Sequence, residues 1–351
     1  MIEVRASAPG KLVLLGEYAV LEGAPALALA VNRQARARVV LRADGEARVH
    51  APDLKLADVP LRIDADGLPH WTRAQDAQSL RLVDTILRGL AAEGLGPPAG
   101  RGFELTLDSA EFFEGPRKLG LGSSAALTVA LASALAVYAG CGAATANRRV
   151  WLERLLALHR GFQDGRGSGV DVAASLVGGL IAYRLTDEGL PRFEAAAWPE
   201  RVQARFVWSG VSASTADFLA RLADWRAAHP AQYAAHMQTL RAVAEAAARA
   251  VSDGRDADFL AAAADYAQAL DAFAAACGLP IFSPAHRRAR ELAQDAGVVY
   301  KPCGAGGGDF GVLLGADAAR LASAARSLEG AGLCCLPLAA EEQGLRLEYR
   351  N

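Results

Sequence analysis

The residues with the clearest chemical potential form a glycine-rich segment that ends in two hydroxyl side chains. It consists of Gly120, Leu121, Gly122, Ser123, Ser124 and Ala125. Two glycines let backbone amides approach a phosphate group closely, and the amides and dipole of a following helix attract anions. Lys118 adds a positive charge just upstream, in a chain with only four lysines. The segment predicts a phosphate-binding loop, although a tight turn before a buried helix has the same features.

The same segment also fits G-x-G-x-x-A, the pattern of dinucleotide-binding folds. In those folds the pattern follows a strand, and an acidic residue that binds ribose comes about 20 positions later. Here residues 114–118 (EGPRK) do not resemble a strand, and no acidic residue stands at that distance. The chain also lacks the G-x-x-x-x-G-K-[ST] pattern of P-loop proteins. These observations disfavour a dehydrogenase and a P-loop enzyme.

A second glycine-rich segment lies at residues 304–309 (GAGGGD), between two apolar runs that are typical of strands. A hairpin turn commonly needs only one or two residues with unusual backbone angles. Four glycines in the first five positions of this segment exceed that need. We therefore expect a close approach of its backbone to a ligand or to another loop.

Asp171 is a further candidate because it stands in an otherwise small and apolar segment, residues 167–174 (GSGVDVAA). A buried acid needs a partner or a function. However, Asp is common in the first turn of a helix, and taken alone that structural explanation is preferred. His159 lies nearby in sequence, but a position in the core or on the surface is favoured for it.

These segments connect elements of two kinds. Apolar or alternating runs predict strands at residues 2–8, 11–15, 26–31, 34–41 and 103–107. Helical spacing predicts helices at residues 80–92, 125–139, 145–160, 234–251 and 256–277, the second of them apolar on nearly every face and therefore buried. A strand–loop–strand unit is predicted at residues 298–314. Strands first and helices later indicate an α+β fold with two lobes, residues 1–190 and 191–351.

The composition excludes several classes of function. The 351 residues carry a net charge of −2, without the basic excess of a general nucleic-acid binder. Five cysteines without a C-x-x-C pair disfavour a zinc site or a disulfide framework and favour a reducing compartment. No signal peptide or membrane span is indicated. We expect a cytoplasmic protein without nucleic-acid or membrane partners, and the sequence does not indicate its oligomeric state.

Taken together, the motifs resemble those of the GHMP kinases, a family of small-molecule kinases. The first family motif resembles residues 8–11 (APGK) through 16–20 (GEYAV), the second resembles residues 120–125 and the third resembles residues 304–309. They occur in the family's order and span nearly the whole chain. The resemblance implies an N-terminal lobe like domain 2 of ribosomal protein S5, a C-terminal ferredoxin-like α/β sandwich, and a nucleotide bound between them.

Within the family, the segments are most similar to those of the phosphomevalonate kinases. Tyr18 stands where mevalonate and galactose kinases usually have His, and residues 117–119 (RKL) directly precede the glycine loop. Residues 208–215 (WSGVSAST) resemble the W-[ST]-G-x-x-A-S-T segment of those enzymes. The likeness implies phosphoryl transfer from ATP to 5-phosphomevalonate. The alternatives are a mevalonate kinase, another GHMP kinase with a different acceptor, and a non-catalytic ligand-binding relative.

The resemblance also implies roles for the candidate residues. Lys11, Lys118 and Asp171 would be catalytic, and Ser124 would hold Mg²⁺ beside ATP phosphates bound by residues 120–125. The implied substrate-binding residues are Lys11, Glu17, Tyr18, Ser168, Gly169, Ser212, Ser214, Thr215, Gly306, Gly307 and Asp309. Two positions depart from the family pattern. Arg166 replaces a Lys common in phosphomevalonate kinases, and Arg160 falls near the position of a metal-binding Glu in mevalonate kinases.

Overall fold

The structure is a computed structural model, and it describes residues 2–165, 167–186, 188, 190–213 and 215–350. Its strands are β1 (Glu3–Leu15), β2 (Ala26–Leu41), β3 (Ala47–Ala51), β4 (Leu56–Ile63), β5 (Pro69–Trp71), β6 (Phe103–Asp108), β7 (Phe113–Glu114), β8 (Arg117–Lys118), β9 (Leu180–Leu185), β10 (Pro191–Ala196), β11 (Gln203–Trp208), β12 (Val299–Pro302), β13 (Phe310–Gly315), β14 (Cys334–Leu336) and β15 (Arg346–Arg350). Its α-helices are α1 (Ala74–Ser79), α2 (Arg81–Ala92), α3 (Ser123–Tyr138), α4 (Arg148–Phe162), α5 (Val170–Val177), α6 (Thr215–Ala228), α7 (Pro230–Ser252), α8 (Asp256–Cys277), α9 (Pro284–Asp295) and α10 (Ala318–Gly330). Short 3₁₀ helices lie at Ala19–Glu22, Pro52–Leu54, Ala110–Phe112 and Gly142–Thr145.

A long antiparallel pair, β1 and β2, forms the centre of a sheet that has nine strands within the described residues. One side of β2 pairs with β1, and the other side pairs with β9 and then with β6. The sheet continues through β3, β4 and β5 beyond β6, and through β10 beyond β9. The sequence predicts two strands separated by Pro9 and Gly10, but β1 runs through both with a register shift between them. Such an irregularity accommodates a proline, which has no N–H for the sheet.

Helix α3 is buried on almost all sides, as predicted for residues 125–139. It packs against β1 and β2 and is surrounded by α2, α4 and α5. Inside this packing, the indole N–H of Trp151 donates a hydrogen bond to the Ser133 hydroxyl at 2.9 Å. This burial fixes the N-terminal end of α3, which follows directly on the first glycine-rich segment.

The second lobe is built on an antiparallel sheet whose four described strands have the order β12-β13-β11-β14. The predicted strand–loop–strand unit at residues 298–314 is confirmed as β12 and β13. Helices α9 and α10 pack on this sheet, and a small core of its own includes Val207, Leu313, Leu321 and Leu328. The sheet therefore holds the second glycine-rich segment between two buried strands.

Helices α7 and α8, the two longest of the second lobe, pack against each other. They match the predicted helices at residues 234–251 and 256–277. Their buried positions, such as Leu240 and Ala244 in α7 and Tyr266 and Leu270 in α8, recur at the spacing of an amphipathic helix. Within the described ranges, no helix combines the length and the apolar character that crossing a membrane requires.

The chain passes between the lobes more than once. β10 and β15 both lie beyond residue 190, yet β10 pairs with β9 and β15 pairs with β1 in the first sheet. The division into residues 1–190 and 191–351 stays a proposal, and the strand pairing assigns these two strands to the first lobe. The elements that enclose the site thus come from distant parts of the chain.

Candidate active site

A cavity of about 370 Å³ lies where the first family motif, which contains Lys11, Glu17 and Tyr18, meets the loop after β12. Its wall comes from β1 and the following 3₁₀ helix, the start of α2, the segment from α4 to α5, α6, and the loop after β12. The lining residues are Lys11, Val13, Glu17, Tyr18, Val20, Leu21, Arg81, Phe162, Gln163, Asp164, Gly167, Ser168, Val170, Asp171, Leu219, Gly304 and Ala305. A cavity of this volume suits a small molecule.

Lys11 connects this cavity with the predicted phosphate loop. Its backbone amide donates a hydrogen bond to the carbonyl oxygen of Leu121 at 2.8 Å. The carbons of its side chain run beside Gly122, because a Cβ added to that glycine would lie 3.0 Å from Lys11 Cε. Lys11 also lines the cavity. An ammonium group in this place can act on a phosphoryl group that passes from the loop into the cavity.

The segment at residues 120–125 forms the turn that leads into α3. Gly120 and Gly122 have φ angles of +77° and +79°, in the left-handed region that favours glycine. Among the described side chains, none caps the N-terminus of α3, so its first amides are available to an anion. Leu121, Ser123 and Ala125 are buried, whereas Ser124 is partly exposed at the start of the helix. The geometry therefore fits the predicted phosphate loop.

Asp171 is the second residue of α5 and lines the cavity together with Lys11. Its Oδ1 accepts a hydrogen bond from the amide of Val172 at 2.9 Å, and its Oδ2 lies 3.6 Å from Nε2 of His159. Burial alone would raise the pKa of this carboxyl group. The interaction with His159 and the charge of Lys11 outweigh burial and lower the pKa to about 2. The side chain is therefore a permanent negative charge at neutral pH.

Sequence reasoning favoured the core or the surface for His159 over a position near the site; the residue is buried, but it also lies beside Asp171. Its Nδ1 lies 3.0 Å from the hydroxyl oxygen of Thr128, and that hydroxyl donates its proton to the carbonyl oxygen of Ser124 at 2.8 Å. Which atom donates in the contact between Nδ1 and Thr128 depends on the tautomer of the ring. The other nitrogen, Nε2, faces Asp171. His159 thus links the start of α3 to the acid of α5.

The first motif also contributes a buried ion pair between the lobes. Nζ of Lys301 lies 2.5 Å from Oε1 of Glu17, and the two side chains are 0% and 2% exposed. Burial raises the pKa of Glu17, and the charge of Lys301 opposes that rise. The neighbouring Tyr18 donates its hydroxyl proton to the carbonyl oxygen of Ala305 at 2.5 Å. Glu17 and Tyr18 therefore fasten the first motif to the third at the edge of the cavity.

Glycines of the third motif pack against protein, while Gly304 and Ala305 line the cavity. A Cβ added to Gly306 would lie 2.5 Å from Cγ2 of Ile281, and one added to Gly307 would lie 2.4 Å from Cζ of Phe218. The sequence predicted a close approach of this segment either to a ligand or to another loop. For Gly306 and Gly307 the close approach is to other parts of the chain. The substrate-binding role that the resemblance implies for them stays a prediction.

Asp309, at the end of the third motif, lies against the phosphate loop. A Cβ added to Gly120 would lie 2.0 Å from Asp309 Cγ, so a side chain at position 120 has no space. Oδ1 of Asp309 accepts a hydrogen bond from the amide of Ala213 at 3.2 Å. Burial raises the pKa of Asp309 to about 6, against the lowering effects of that hydrogen bond and of Lys11 and Lys118. Asp309 therefore joins the predicted phosphate loop to the segment that contains Ala213.

Lys118 and Ser212 lie beside each other, next to the predicted phosphate loop. Lys118 is exposed on β8, and the Ser212 hydroxyl donates a hydrogen bond to its carbonyl oxygen at 2.5 Å. Neither residue is part of the cavity wall as it is described. Ser214 lies outside the described residues, and Thr215 is described only as the first residue of α6. The predicted role of Ser212, Ser214 and Thr215 in substrate binding stays a prediction.

Ser168 and Gly169 immediately precede α5. Ser168 lines the cavity, and its carbonyl oxygen accepts a hydrogen bond from the Tyr183 hydroxyl at 2.6 Å. Gly169 has a φ of +80°, and a Cβ added there would lie 2.0 Å from Cδ2 of Leu156. Gly169 therefore allows α5 to approach α4, which places Ser168 and Asp171 in the same wall.

Sequence reasoning missed Arg81 and Phe162, which both line the cavity. Arg81, the first residue of α2, places its guanidinium carbon 4.7 Å from the centre of the Phe162 ring. Its Nη1 lies 3.3 Å from Oδ1 of Asp164. The glycines at positions 161, 165, 167 and 169 were a signal for Phe162 and Asp164, which lie among them in the sequence. Arg81 gave none, because an arginine at the start of an amphipathic helix has the pattern of a surface cation.

The comparisons with known proteins bear on this arrangement. The family model described as "GHMP kinases N terminal domain" matches residues 81–179. A phosphomevalonate kinase of Streptomyces sp. (strain CL190) is 32% identical over 379 aligned residues, which cover 96% of this chain and 97% of that protein. The chain belongs to the GHMP kinase family. A mevalonate kinase of Aeropyrum pernix is 34% identical, but over only 51% of this chain and 50% of that protein.

Solved structures of GHMP kinases share the fold. Streptococcus pneumoniae phosphomevalonate kinase in complex with phosphomevalonate and AMPPNP has a TM-score of 0.75 at 19% identity, with 97% of this chain and all of that chain covered. The mevalonate kinase of L. major in complex with R-mevalonate has a TM-score of 0.67 at 18% identity, with 95% and 94% covered. The α+β fold expected from the three motifs is thereby confirmed.

Proposed function

We propose that this GHMP kinase transfers the γ-phosphoryl group of ATP to the phosphate of 5-phosphomevalonate, giving ADP and 5-diphosphomevalonate in the mevalonate route to isoprenoids. The observation that carries the proposal is the position of Lys11. It lies between the glycine loop at residues 120–125 and a cavity that also contains Asp171. The similarity to a phosphomevalonate kinase over nearly the whole chain supports this acceptor.

The proposed reaction depends on alignment and charge more than on covalent chemistry. The ATP phosphates bind the amides at the start of α3, and the acceptor occupies the cavity. An oxygen of the acceptor phosphate attacks the γ-phosphorus while the bond from that phosphorus to the ADP oxygen breaks. Lys11 neutralises the charge of the transferring group, and Lys118 on β8 supplies a second positive charge beside the loop.

The properties of Asp171 fit a phosphate acceptor. A phosphate monoester has a second pKa of about 6, so its attacking oxygen is already largely ionised at neutral pH. With a pKa of about 2, Asp171 is a weak base and serves as a fixed charge that orients Lys11. An alcohol acceptor such as mevalonate must lose a proton, and a base with a pKa nearer to neutrality suits that step better.

Magnesium is the metal that we expect to accompany ATP. Mg²⁺ prefers oxygen ligands and is commonly bound through phosphates, water and one or two protein groups. In the part of the chain that the structure describes, no group of three or more His, Cys, Asp or Glu side chains is placed to hold a metal ion. A site with so few protein ligands fits an ion that is held mainly by the ATP phosphates, with the Ser124 hydroxyl as its protein ligand. When bound, the ion would neutralise phosphate charge.

The test is a panel of acceptors incubated with ATP and Mg²⁺, in which ADP and the phosphorylated product are both measured. We expect a kcat/KM for phosphomevalonate at least ~10²-fold above that for mevalonate, because the site holds fixed charges for a phosphate. A preference for mevalonate or another alcohol would assign a different acceptor within the family. If no acceptor is turned over, the chain is a ligand-binding member without catalysis.

We also propose that the enzyme works in the cytoplasm on small molecules alone. All five cysteines are free thiols, which fits a reducing compartment. The net charge of −2 gives no general affinity for nucleic acid. Fractionation of cells that produce the native chain would check the compartment, and recovery with the membrane fraction would contradict it.

A further inference from the structure

We infer that Arg81 binds the carboxylate of the acceptor at the end of the cavity opposite to the reacting phosphate. The inference rests on the proposed function, because 5-phosphomevalonate has a phosphate at one end and a carboxylate at the other. Each end needs a positive partner in a protein site. Of the residues described around the cavity, the Lys and Arg side chains are Lys11 and Arg81.

Lys11 lies beside the glycine loop, where we propose that the nucleotide phosphates bind. Its amide is bonded to the carbonyl oxygen of Leu121, and its side chain runs along Gly122. The glycine loop itself does not contribute to the described cavity wall. The reacting phosphate of the acceptor must therefore lie at the Lys11 end, next to the loop. Among the lining residues that the structure describes, Arg81 is the remaining positive group, and we assign it to the other end of the molecule.

The cavity surface also suits the carbon chain between the two charges. Val13, Val20, Leu21, Val170 and Leu219 contribute apolar side chains to it. Between its carboxylate and its phosphate ester the acceptor has three methylene groups and one carbon that bears a methyl and a hydroxyl group, and apolar walls favour burial of the hydrocarbon part. A cavity lined by Lys11, Arg81 and several apolar side chains thus offers both kinds of surface that the acceptor presents.

Arg81 is already held in an orientation that favours a carboxylate. Its guanidinium carbon lies 4.7 Å from the centre of the Phe162 ring, a stacking distance that restrains the plane of the fork. Its Nη1 lies 3.3 Å from a carboxylate oxygen of Asp164. Asp164 thus shows that a carboxylate reaches this guanidinium. Both side chains of the pair are largely exposed, so replacing the Asp164 carboxylate with that of the acceptor costs little free energy.

The test compares two enzymes with two acceptors. The enzymes are wild type and Arg81→Gln, and the acceptors are 5-phosphomevalonate and 3-hydroxy-3-methylbutyl phosphate, which lacks only the carboxylate. For wild type we expect kcat/KM to be ~10- to 100-fold lower with the carboxylate-free acceptor, the range for a charge-assisted hydrogen bond. Arg81→Gln should lower kcat/KM for phosphomevalonate by a similar factor, mainly through KM. It should discriminate little between the two acceptors, and its KM for ATP should stay at the wild-type value.

Two further variants serve as controls. Arg81→Lys keeps the charge but loses the planar fork, so its discrimination should be intermediate. Arg88→Gln removes an arginine of the same helix that is bonded to Asp84 and is not part of the described cavity wall, and it should retain wild-type discrimination. Thermal unfolding of each variant reports whether the fold is intact.

The outcomes separate this inference from the proposed function. If wild type uses phosphomevalonate and Arg81→Gln still discriminates as strongly as wild type, the carboxylate binds elsewhere and the inference is overturned alone. If wild type does not use phosphomevalonate at all, the proposed function is overturned and the inference falls with it. Loss of discrimination in Arg81→Gln, with the ATP KM unchanged, supports both.

Discussion

At the scale of single residues, Asp171 separates a catalytic from a structural explanation. Asp171→Asn keeps the size and the hydrogen bond to the Val172 amide, but it removes the charge beside Lys11 and His159. We expect turnover to fall by ~10²-fold or more, as for loss of one fixed charge at a reacting centre. ATP binding, measured by calorimetry, should change little.

Asp258→Asn is the matched control for this variant. Asp258 also lies in the first turn of a helix, α8, but it is exposed and pairs with Arg255 away from the cavity. Its turnover should equal that of wild type. If Asp171→Asn kept wild-type turnover as well, Asp171 would be only a helix N-terminal acid.

Ser124 is the residue through which the metal hypothesis is tested. Its carbonyl oxygen, rather than its hydroxyl, is engaged by Thr128, so Ser124→Ala leaves the start of α3 intact. We expect the Mg²⁺ concentration that gives half the maximal rate to rise by up to about 10-fold, because the metal ion loses one oxygen ligand. The KM for the acceptor should not change.

Initial rates at fixed ATP and varied Mg²⁺ measure this effect. Ser323→Ala, at an exposed position of α10, is the control and should behave as wild type. An unchanged Mg²⁺ dependence in Ser124→Ala would mean that the metal relies on phosphates, water or another residue.

At the scale of elements, the buried pair of Lys301 and Glu17 joins β12 to the turn after β1. Lys301→Met leaves the Glu17 carboxylate without its cation in a site where both side chains are inaccessible to water. We expect the free energy of unfolding to fall by about 3–5 kcal/mol, the usual effect of removing one partner of a buried pair. Urea unfolding measures it.

A double variant distinguishes loss of the pair from loss of packing. With Glu17→Met added to Lys301→Met, no charge is left unpaired, and stability should recover towards wild type. Lys55→Met, at an exposed lysine, serves as the control and should lie within about 0.5 kcal/mol of wild type. A double variant no more stable than Lys301→Met would show that packing, and not the unpaired charge, is what matters.

The elements were more accessible to sequence reasoning than the contacts between them. α3 was predictable because a long run of apolar residues begins at Ala125, after two serines that can start a helix, and β12 and β13 were predictable because apolar runs flank the glycines at residues 304–308. These signals are local. The pairing of Glu17 with Lys301 and the reach of Arg81 over Phe162 join residues far apart in the chain. No periodicity records such contacts, since they follow from how the lobes and helices pack.

At the scale of the whole molecule, two buried groups make stability depend on pH in opposite directions. Burial raises the pKa of Asp309 from 3.8 to about 6, so between these values the folded state holds a proton that the unfolded chain has released. Its contribution therefore weakens stability as pH rises through that window. Burial lowers the pKa of His286 from 6.5 to about 4, so its contribution strengthens stability as pH rises between about 4 and 6.5.

Asp309→Asn isolates the first of these effects. The amide resembles the protonated acid at every pH, so the variant should gain stability relative to wild type as pH rises from 4 to 7, by up to about 3 kcal/mol. Urea unfolding across this range measures the difference, and His286 cancels because it is present in both proteins. A difference that does not vary with pH would mean that Asp309 titrates alike in the folded and unfolded states.

The position of β15 has a consequence for the order in which the protein is made. β15 completes the first sheet by pairing with β1, from Glu3 with Arg350 to Ser7 with Arg346. The ribosome synthesises the whole of the second lobe between these two strands. Throughout that time one side of β1 is an open edge, with backbone groups ready to pair with another chain. A nascent chain released before β15 emerges would carry this open edge into the cell, and chaperones that recognise exposed strands would be its natural protection.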